Sequence, residues 1–218
     1  MKVAVLGTGM VGQTIATKLA SMQHSVMIGS RDRNNPKAKE WIGKVPKLSL
    51  GTFAEAAQFA EIIFICTLGT GTLPALKLAG EKSLASKILI DVSNPLDFSK
   101  NNQPSLFVCN TDSLAEQIQR IYPKTRVVKT LNTLNSKVMV NPSTLTGPHN
   151  LFLAGNDENA KQVVKAFLED NFGWTPTSFI DLGDITGARS AEMLVMLWIR
   201  LWNTLQNPVF NYNIVTPT

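Results

Sequence analysis

The stretch Lys2-Val3-Ala4-Val5-Leu6-Gly7-Thr8-Gly9-Met10-Val11-Gly12 decides how this chain folds. Val3 to Leu6 is a continuous apolar run, the pattern of a strand buried on both faces. Gly7-x-Gly9-x-x-Gly12 follows at once. Val11, Ile15, Leu19 and Met22 then recur at three- to four-residue spacing, which marks one face of a helix. Strand, glycine turn and helix in that order form a dinucleotide-binding fingerprint. Gly7 permits the tight turn, Gly9 lets a pyrophosphate approach the backbone, and Gly12 lets the helix pack on the strand. With Thr8 in the turn, the free N–H groups where Met10 and Val11 open the helix face the phosphates.

The next apolar run, Ser25 to Ile28, ends in Gly29-Ser30-Arg31. A site for NAD places an acidic residue at this strand end to hold the ribose 2′-OH. Here stand a hydroxyl and a permanently charged guanidinium, with Arg33 and Lys37 close behind. That set suits a 2′-phosphate. Asp32 competes for the ribose but lies two residues past the strand end and reads as solvated. NADP(H) is the expected ligand.

Strand and helix patterns alternate down the rest of the chain. Pro36 to Ile42 reads as a short helix, and Thr52-Phe53-Ala54-Glu55 as a capping box opening a helix through Ala60. Further strands are expected at 62–66, 87–92, 126–130, 150–155 and 177–181. Helices are expected at 72–79, from Asp112 or Ser113 to Tyr122, at 157–170, and from about Asp184 to Gln206. The pattern predicts an α/β fold, a Rossmann-type doubly wound and mostly parallel sheet with a hydrophobic C-terminal helix. Residues 1–182 form the NADP-binding domain. Residues 183–218 form a helical segment packed on that domain and on a second subunit. Met193 to Trp202 is apolar nearly all round, so the helix must be buried; one sheet covers one face only, and a homodimer is expected.

In such sheets ligands bind beyond the carboxyl ends of the strands. Cys66-Thr67-Leu68 ends the third expected strand and borders the ribose and nicotinamide. Ser93-Asn94-Pro95 ends the fourth, the proline holding Asn94 extended so that its amide aims at a ring. Asn132 and Thr133 follow the fifth. No residue is placed by motif as a catalytic acid, base or nucleophile, and no metal cluster is expected. His24 reads as a surface residue, and His149, in a Gly-Pro-His loop, is a minor candidate. An alcohol dehydrogenase needs a general acid–base group, whereas hydride exchange between stacked rings needs mainly positioning. A ring-shaped redox partner is therefore favoured. A reductase of imines or hydroxy acids is the second enzymatic reading, although only about 35 residues follow the Rossmann unit where such enzymes add a long helical domain. A non-catalytic NADP(H) sensor is a third.

Bulk properties agree. Apolar residues make up 44% of the 218 and charged residues 17%, the balance of a soluble enzyme. The net charge of +5 is scattered rather than clustered, which argues against nucleic acid and for an anionic small ligand. The N-terminal apolar run is too short for a signal peptide, and the longest one falls short of the ~20 residues that span a bilayer. No membrane association is expected. Cys66 and Cys109, each in a strand-like run, read as inert buried thiols. A cytoplasmic setting is the default.

These motifs resemble the NADP oxidoreductases dependent on the deazaflavin coenzyme F420, and equally the cytoplasmic oxidoreductase domain of the six-transmembrane metalloreductases. The matching pieces are Gly7 to Gly12, Ile28-Gly29-Ser30-Arg31, Val92-Ser93-Asn94-Pro95, Val128-Lys129-Thr130-Leu131-Asn132-Thr133, and Leu153-Ala154-Gly155-Asn156-Asp157. The resemblance implies that Thr8, Ser30 and Arg31 hold the adenosine phosphates. It also implies that Thr67, Asn94 and Thr133 lie near the nicotinamide, with hydride passing to a flavin-like ring. Two departures leave that ring open between deazaflavin, ordinary flavin and something else. Asn132 stands where the deazaflavin enzymes carry histidine, and Cys66 to Gly69 replaces a loop containing proline.

Overall fold

A computed structural model describes residues 1–99 and 104–217, the side chain of Lys37 excepted. The chain opens with β1 (Lys2–Leu6), α1 (Met10–Ser21), β2 (Ser25–Ser30), α2 (Pro36–Ile42), β3 (Leu48–Thr52), α3 (Phe53–Phe59) and β4 (Ile62–Ile65). It continues through α4 (Gly69–Ala79), α5 (Glu81–Leu84), β5 (Ile88–Asp91), β6 (Leu96–Asp97), β7 (Ser105–Leu106), α6 (Leu114–Ile121) and β8 (Arg126–Thr130). Then come α7 (Ser136–Val140), β9 (Leu151–Ala154), α8 (Glu158–Phe172), β10 (Phe179–Asp181) and α9 (Ala188–Leu205), with short 3₁₀ turns at Pro142–Thr144, Pro176–Ser178 and Ile185–Gly187.

Eight strands form one sheet in the order β10-β9-β8-β5-β4-β1-β2-β3. All pairs are parallel except β8 with β9. The chain reverses its winding direction between β1 and β4, which opens a crevice at their carboxyl ends. The strands explain themselves: β1, β4 and β5 are buried almost throughout, as expected of parallel strands with helices on both faces. Two apolar clusters cover the two faces, one around Phe64, Phe167 and Phe172 and the other around Leu6, Ile63 and Leu76. Caps fix the helix starts: Thr52 and Glu55 form the expected capping box of α3, and Ser113 and Asp157 cap α6 and α8.

The structure departs from the sequence reading in several places. β3 is an additional edge strand beside β2. The segment before α9 is a separate 3₁₀ turn. Cys109 lies outside any strand and is half-buried, and His24 is half-buried, bonded to Asn171. The C-terminal helix buries only Ala188, Ala191, Glu192 and Val195 against its own chain. Leu197, Trp202 and Leu205 stay 47%, 44% and 55% exposed. Among the described residues, no helix is long and apolar enough to cross a membrane.

Candidate functional site

The crevice at the switch point holds a cleft of about 920 Å³. Gly7, Thr8 and Gly9 line it from the first turn, Gly29 to Asp32 from the end of β2, and Cys66, Thr67 and Leu68 from the end of β4. A smaller cavity of about 270 Å³ shares Gly9, Cys66, Thr67 and Leu68 and adds Met10, Val11, Val92, Ser93 and Asn94. The two run on from each other across the glycine turn.

Each glycine of the turn meets a different constraint. Gly7 has φ +129°, and a Cβ there would lie 2.7 Å from the Cys66 carbonyl oxygen. A Cβ on Gly12 would lie 2.3 Å from the Gly7 carbonyl oxygen, so α1 can sit on the turn only with glycine there. Gly9 is different. A Cβ on it would meet nothing within 4 Å. The protein itself does not demand glycine at that position; a ligand brought against the backbone would. The N-terminus of α1 has no side-chain cap and no acidic residue in its first turn, which leaves its N–H groups and partial positive charge for an anion.

At the end of the cleft formed by β2, Ser30 is buried and Arg31 exposed. Among the described residues Arg31 makes no hydrogen bond or ion pair. Asp32, read from the sequence as solvated, lines the cleft. Its Oδ1 accepts from the Asn34 N–H at 2.8 Å, and its own N–H reaches Ser30 Oγ at 3.4 Å. That carboxylate is thus committed to shaping the turn. Arg33 is off the cleft lining and pairs with Glu55 of the capping box. The Lys37 side chain falls outside the described residues.

The other end is interlocked. Asn94 Nδ2 donates to the Asn132 carbonyl at 2.8 Å, and Asn132 Nδ2 donates back to Asn94 Oδ1 at 2.9 Å. Asn132 Nδ2 also donates to the Ala191 carbonyl on α9 at 2.8 Å. Leu131, with φ +63°, turns the chain so that Asn132 reaches both, a conformation that costs roughly 1–3 kcal/mol for a non-glycine residue. Asn132 and Thr133 are buried behind the cavity wall rather than on it, and Pro95 backs Gly69, whose Cβ would lie 2.0 Å from the Asn94 carbonyl oxygen. Thr67 Oγ1 lies 2.9 Å from Thr72 Oγ1, which fixes the hydroxyl at the cleft floor. Cys66 beside it is no nucleophile, because burial, with the nearby Asp91 charge, pushes its thiol far above the usual range.

Beneath Ser93 lies a set of charges that the sequence reading passed over. Lys129 is fully buried, with Asp91 and Glu192 each 2.9 Å from its ammonium. Its Nζ also donates to the Ser93 carbonyl at 2.5 Å, and Ser93 N–H and Oγ both donate to Asp91 Oδ1. Glu192 accepts in addition from the N–H groups of Leu114 and Ala115 at the start of α6. Burial works to lower the Lys129 pKa, but the two carboxylates outweigh it and hold the ammonium above its ordinary value. Burial raises Glu192, Lys129 opposes that rise, and Asp91 adds to it. The signal was available in the sequence: Asp91 and Lys129 end two apolar runs that pair side by side in the sheet.

Residues 2–95 match the family model of the coenzyme F420-dependent NADP oxidoreductases. The crystal structure of a candidate F420-dependent NADP reductase from Arthrobacter sp. FB24 superposes with a TM-score of 0.94 at 46% identity, covering 99% of this chain and 100% of that one. The chain belongs to the coenzyme F420-dependent NADP oxidoreductase family. It is an NADP-dependent oxidoreductase with a Rossmann-type fold. The F420-dependent NADP reductase of Methanothermobacter marburgensis is 28% identical over 98% of this chain and 97% of its own length. The metalloreductase STEAP3 of Rattus norvegicus is 30% identical over 92% of this chain, which spans 38% of that longer protein.

Proposed function

We propose that this oxidoreductase passes a hydride between NADP(H) and a flavin-like ring, with coenzyme F420 as the acceptor. One observation carries the choice of reaction. The walls of the smaller cavity, from Gly9 to Val11, Cys66 to Gly69, Val92 to Asn94, and Leu96, bring no histidine, lysine, aspartate or glutamate to it. Reduction of an alcohol or imine partner calls for a proton donor at the reacting atom; ring-to-ring hydride exchange calls for alignment and exclusion of water. NADPH, when bound, supplies the hydride. Ser30 and Arg31 hold the 2′-phosphate, the start of α1 and Gly9 take the pyrophosphate, and Thr67, Ser93 and Asn94 surround the nicotinamide end. The name carried by the Methanothermobacter reductase supports F420 over ordinary flavin.

Residues 183–218 supply a second surface. Leu197, Leu201 and Leu205 follow one another at four-residue steps on α9, with Trp202 alongside, and such a face is stable only when covered. We read it as the contact of a homodimer; light scattering at micromolar protein should give twice the chain mass, and a monomer would refute it. The acceptor is tested by following NADPH oxidation with F420, with FMN and with no acceptor. Turnover with F420 and little with FMN supports the proposal. Tight NADPH binding with no turnover on either ring would show a sensor instead.

A further inference from the structure

Two consecutive residues of α9 reach two consecutive residues of the cavity wall. The Glu192 carboxylate holds Lys129, whose ammonium binds the Ser93 carbonyl. The neighbouring Ala191 carbonyl holds the Asn132 amide, which binds the Asn94 side chain. Ser93 and Asn94 both line the smaller cavity. Stability alone does not call for this arrangement, since a buried ion pair is on average no more stabilising than packed apolar groups of the same volume. A device that fixes two adjacent wall residues from one rigid helix does call for it, because loose alignment is costly in hydride transfer.

We propose that Glu192 is a positioning residue for hydride transfer, fixing the Ser93–Asn94 wall through Lys129. This rests on the reading that the smaller cavity receives the nicotinamide end of NADP(H). Glu192 lines neither part of the cleft; its effect reaches the ring through the wall. The C-terminal helix is then part of the catalytic apparatus as well as a packing element.

Glu192→Gln keeps the size of the side chain and removes its charge and one acceptor. The expected result is a fall in kcat with F420 on the order of ten- to a hundredfold, with the dissociation constant of NADPH changed by less than about twofold, because the phosphate contacts lie at the far end of the cleft. A second measurement needs no acceptor: the fluorescence lifetime of bound NADPH reports how firmly the reduced ring is held. It should shorten towards the free value in Glu192→Gln and stay long in Arg31→Ala at saturating NADPH. Asn132→Leu, which cuts the second link and leaves the ion pairs intact, should shorten it too, and it serves if Glu192→Gln does not fold. Unchanged lifetime and kcat in folded Glu192→Gln would overturn the proposal. If wild-type protein binds NADPH with a long lifetime yet reduces no F420, the acceptor is wrong and the lifetimes still decide the role of Glu192. Failure of wild-type protein to bind NADPH at all would overturn both.

Discussion

The two ends of the cleft are built on opposite plans. At the end we assign to the adenine side, Arg31 extends into solvent without a partner among the described residues, Gly9 faces open space, and α1 starts without a side-chain cap. At the end we assign to the nicotinamide the wall is tied down: the Ser93 hydroxyl to Asp91 and its carbonyl to Lys129, the Asn94 side chain to Asn132, and both sets to α9, while the buried Asn132 Oδ1 has no partner among the described residues. On the proposed function, the first arrangement is completed by a ligand and supplies affinity. The second is held by the protein's own contacts and supplies geometry. An oxidoreductase needs both, since charge contacts far from the reacting atoms hold the cofactor while alignment sets the rate.

The comparison breaks most readily at the turn between the two ends. Gly12→Ala places a Cβ 2.3 Å from the Gly7 carbonyl oxygen, and backbone has to move. Overpacking of this kind costs up to about 3 kcal/mol, and NADPH binding should weaken by about a hundredfold if the displaced helix start passes that cost on. Titration and thermal melting should both show the loss. Arg31→Ala comes next. Losing one charge-assisted contact of roughly 1.5–3 kcal/mol weakens NADPH about ten- to a hundredfold, and affinity for NADH should hardly change, because its ribose lacks the phosphate. Gly9→Ala sharpens the contrast with Gly12. Its methyl meets no protein atom within 4 Å, so melting should be unchanged while NADPH affinity drops by about tenfold from crowding alone. If melting fell as well, Gly9 would be structural.

The smallest effect belongs to a surface ion pair beside α6, the helix whose first N–H groups bind Glu192. The Arg120 guanidinium, against a lesser opposing cost of burial and with help from Gln117, holds Asp112 down to about 2. A depressed carboxyl contributes stability that is present above its unfolded pKa of 3.8 and is lost as pH falls towards 2. Arg120 is 59% exposed, so solvent screens the pair and it adds little to stability. In acid titrations Asp112→Asn should unfold with a slightly shallower dependence on pH in that window and be indistinguishable near neutrality.

How much of this was legible in the sequence follows the same division. The adenine end was readable because its chemistry sits in one short segment: a strand, a glycine spacing and Ser30-Arg31 within thirty-one residues. The central strands were readable because burial on both faces makes them continuous apolar runs. β3 was not, because an edge strand reading Leu-Ser-Leu-Gly-Thr is half-exposed and its last residue doubles as the cap of α3. The reversed direction of β9 leaves no trace in an apolar run. Arg33 looked like a phosphate ligand because proximity in sequence says nothing about Glu55, which takes its charge. The nicotinamide end was least legible, since Asp91, Lys129, Asn132 and Glu192 come from four separate segments and meet only when the sheet and α9 assemble.

The most direct measurement is a pair of titrations of the wild-type protein with NADPH and with NADH, followed by cofactor fluorescence. The Arg31 guanidinium at the end of β2, exposed and without a partner among the described residues, predicts NADPH tighter by about ten- to a hundredfold. Equal affinities would mean that Arg31 meets no phosphate, and the division of the cleft into an affinity end and a geometry end would fail with it.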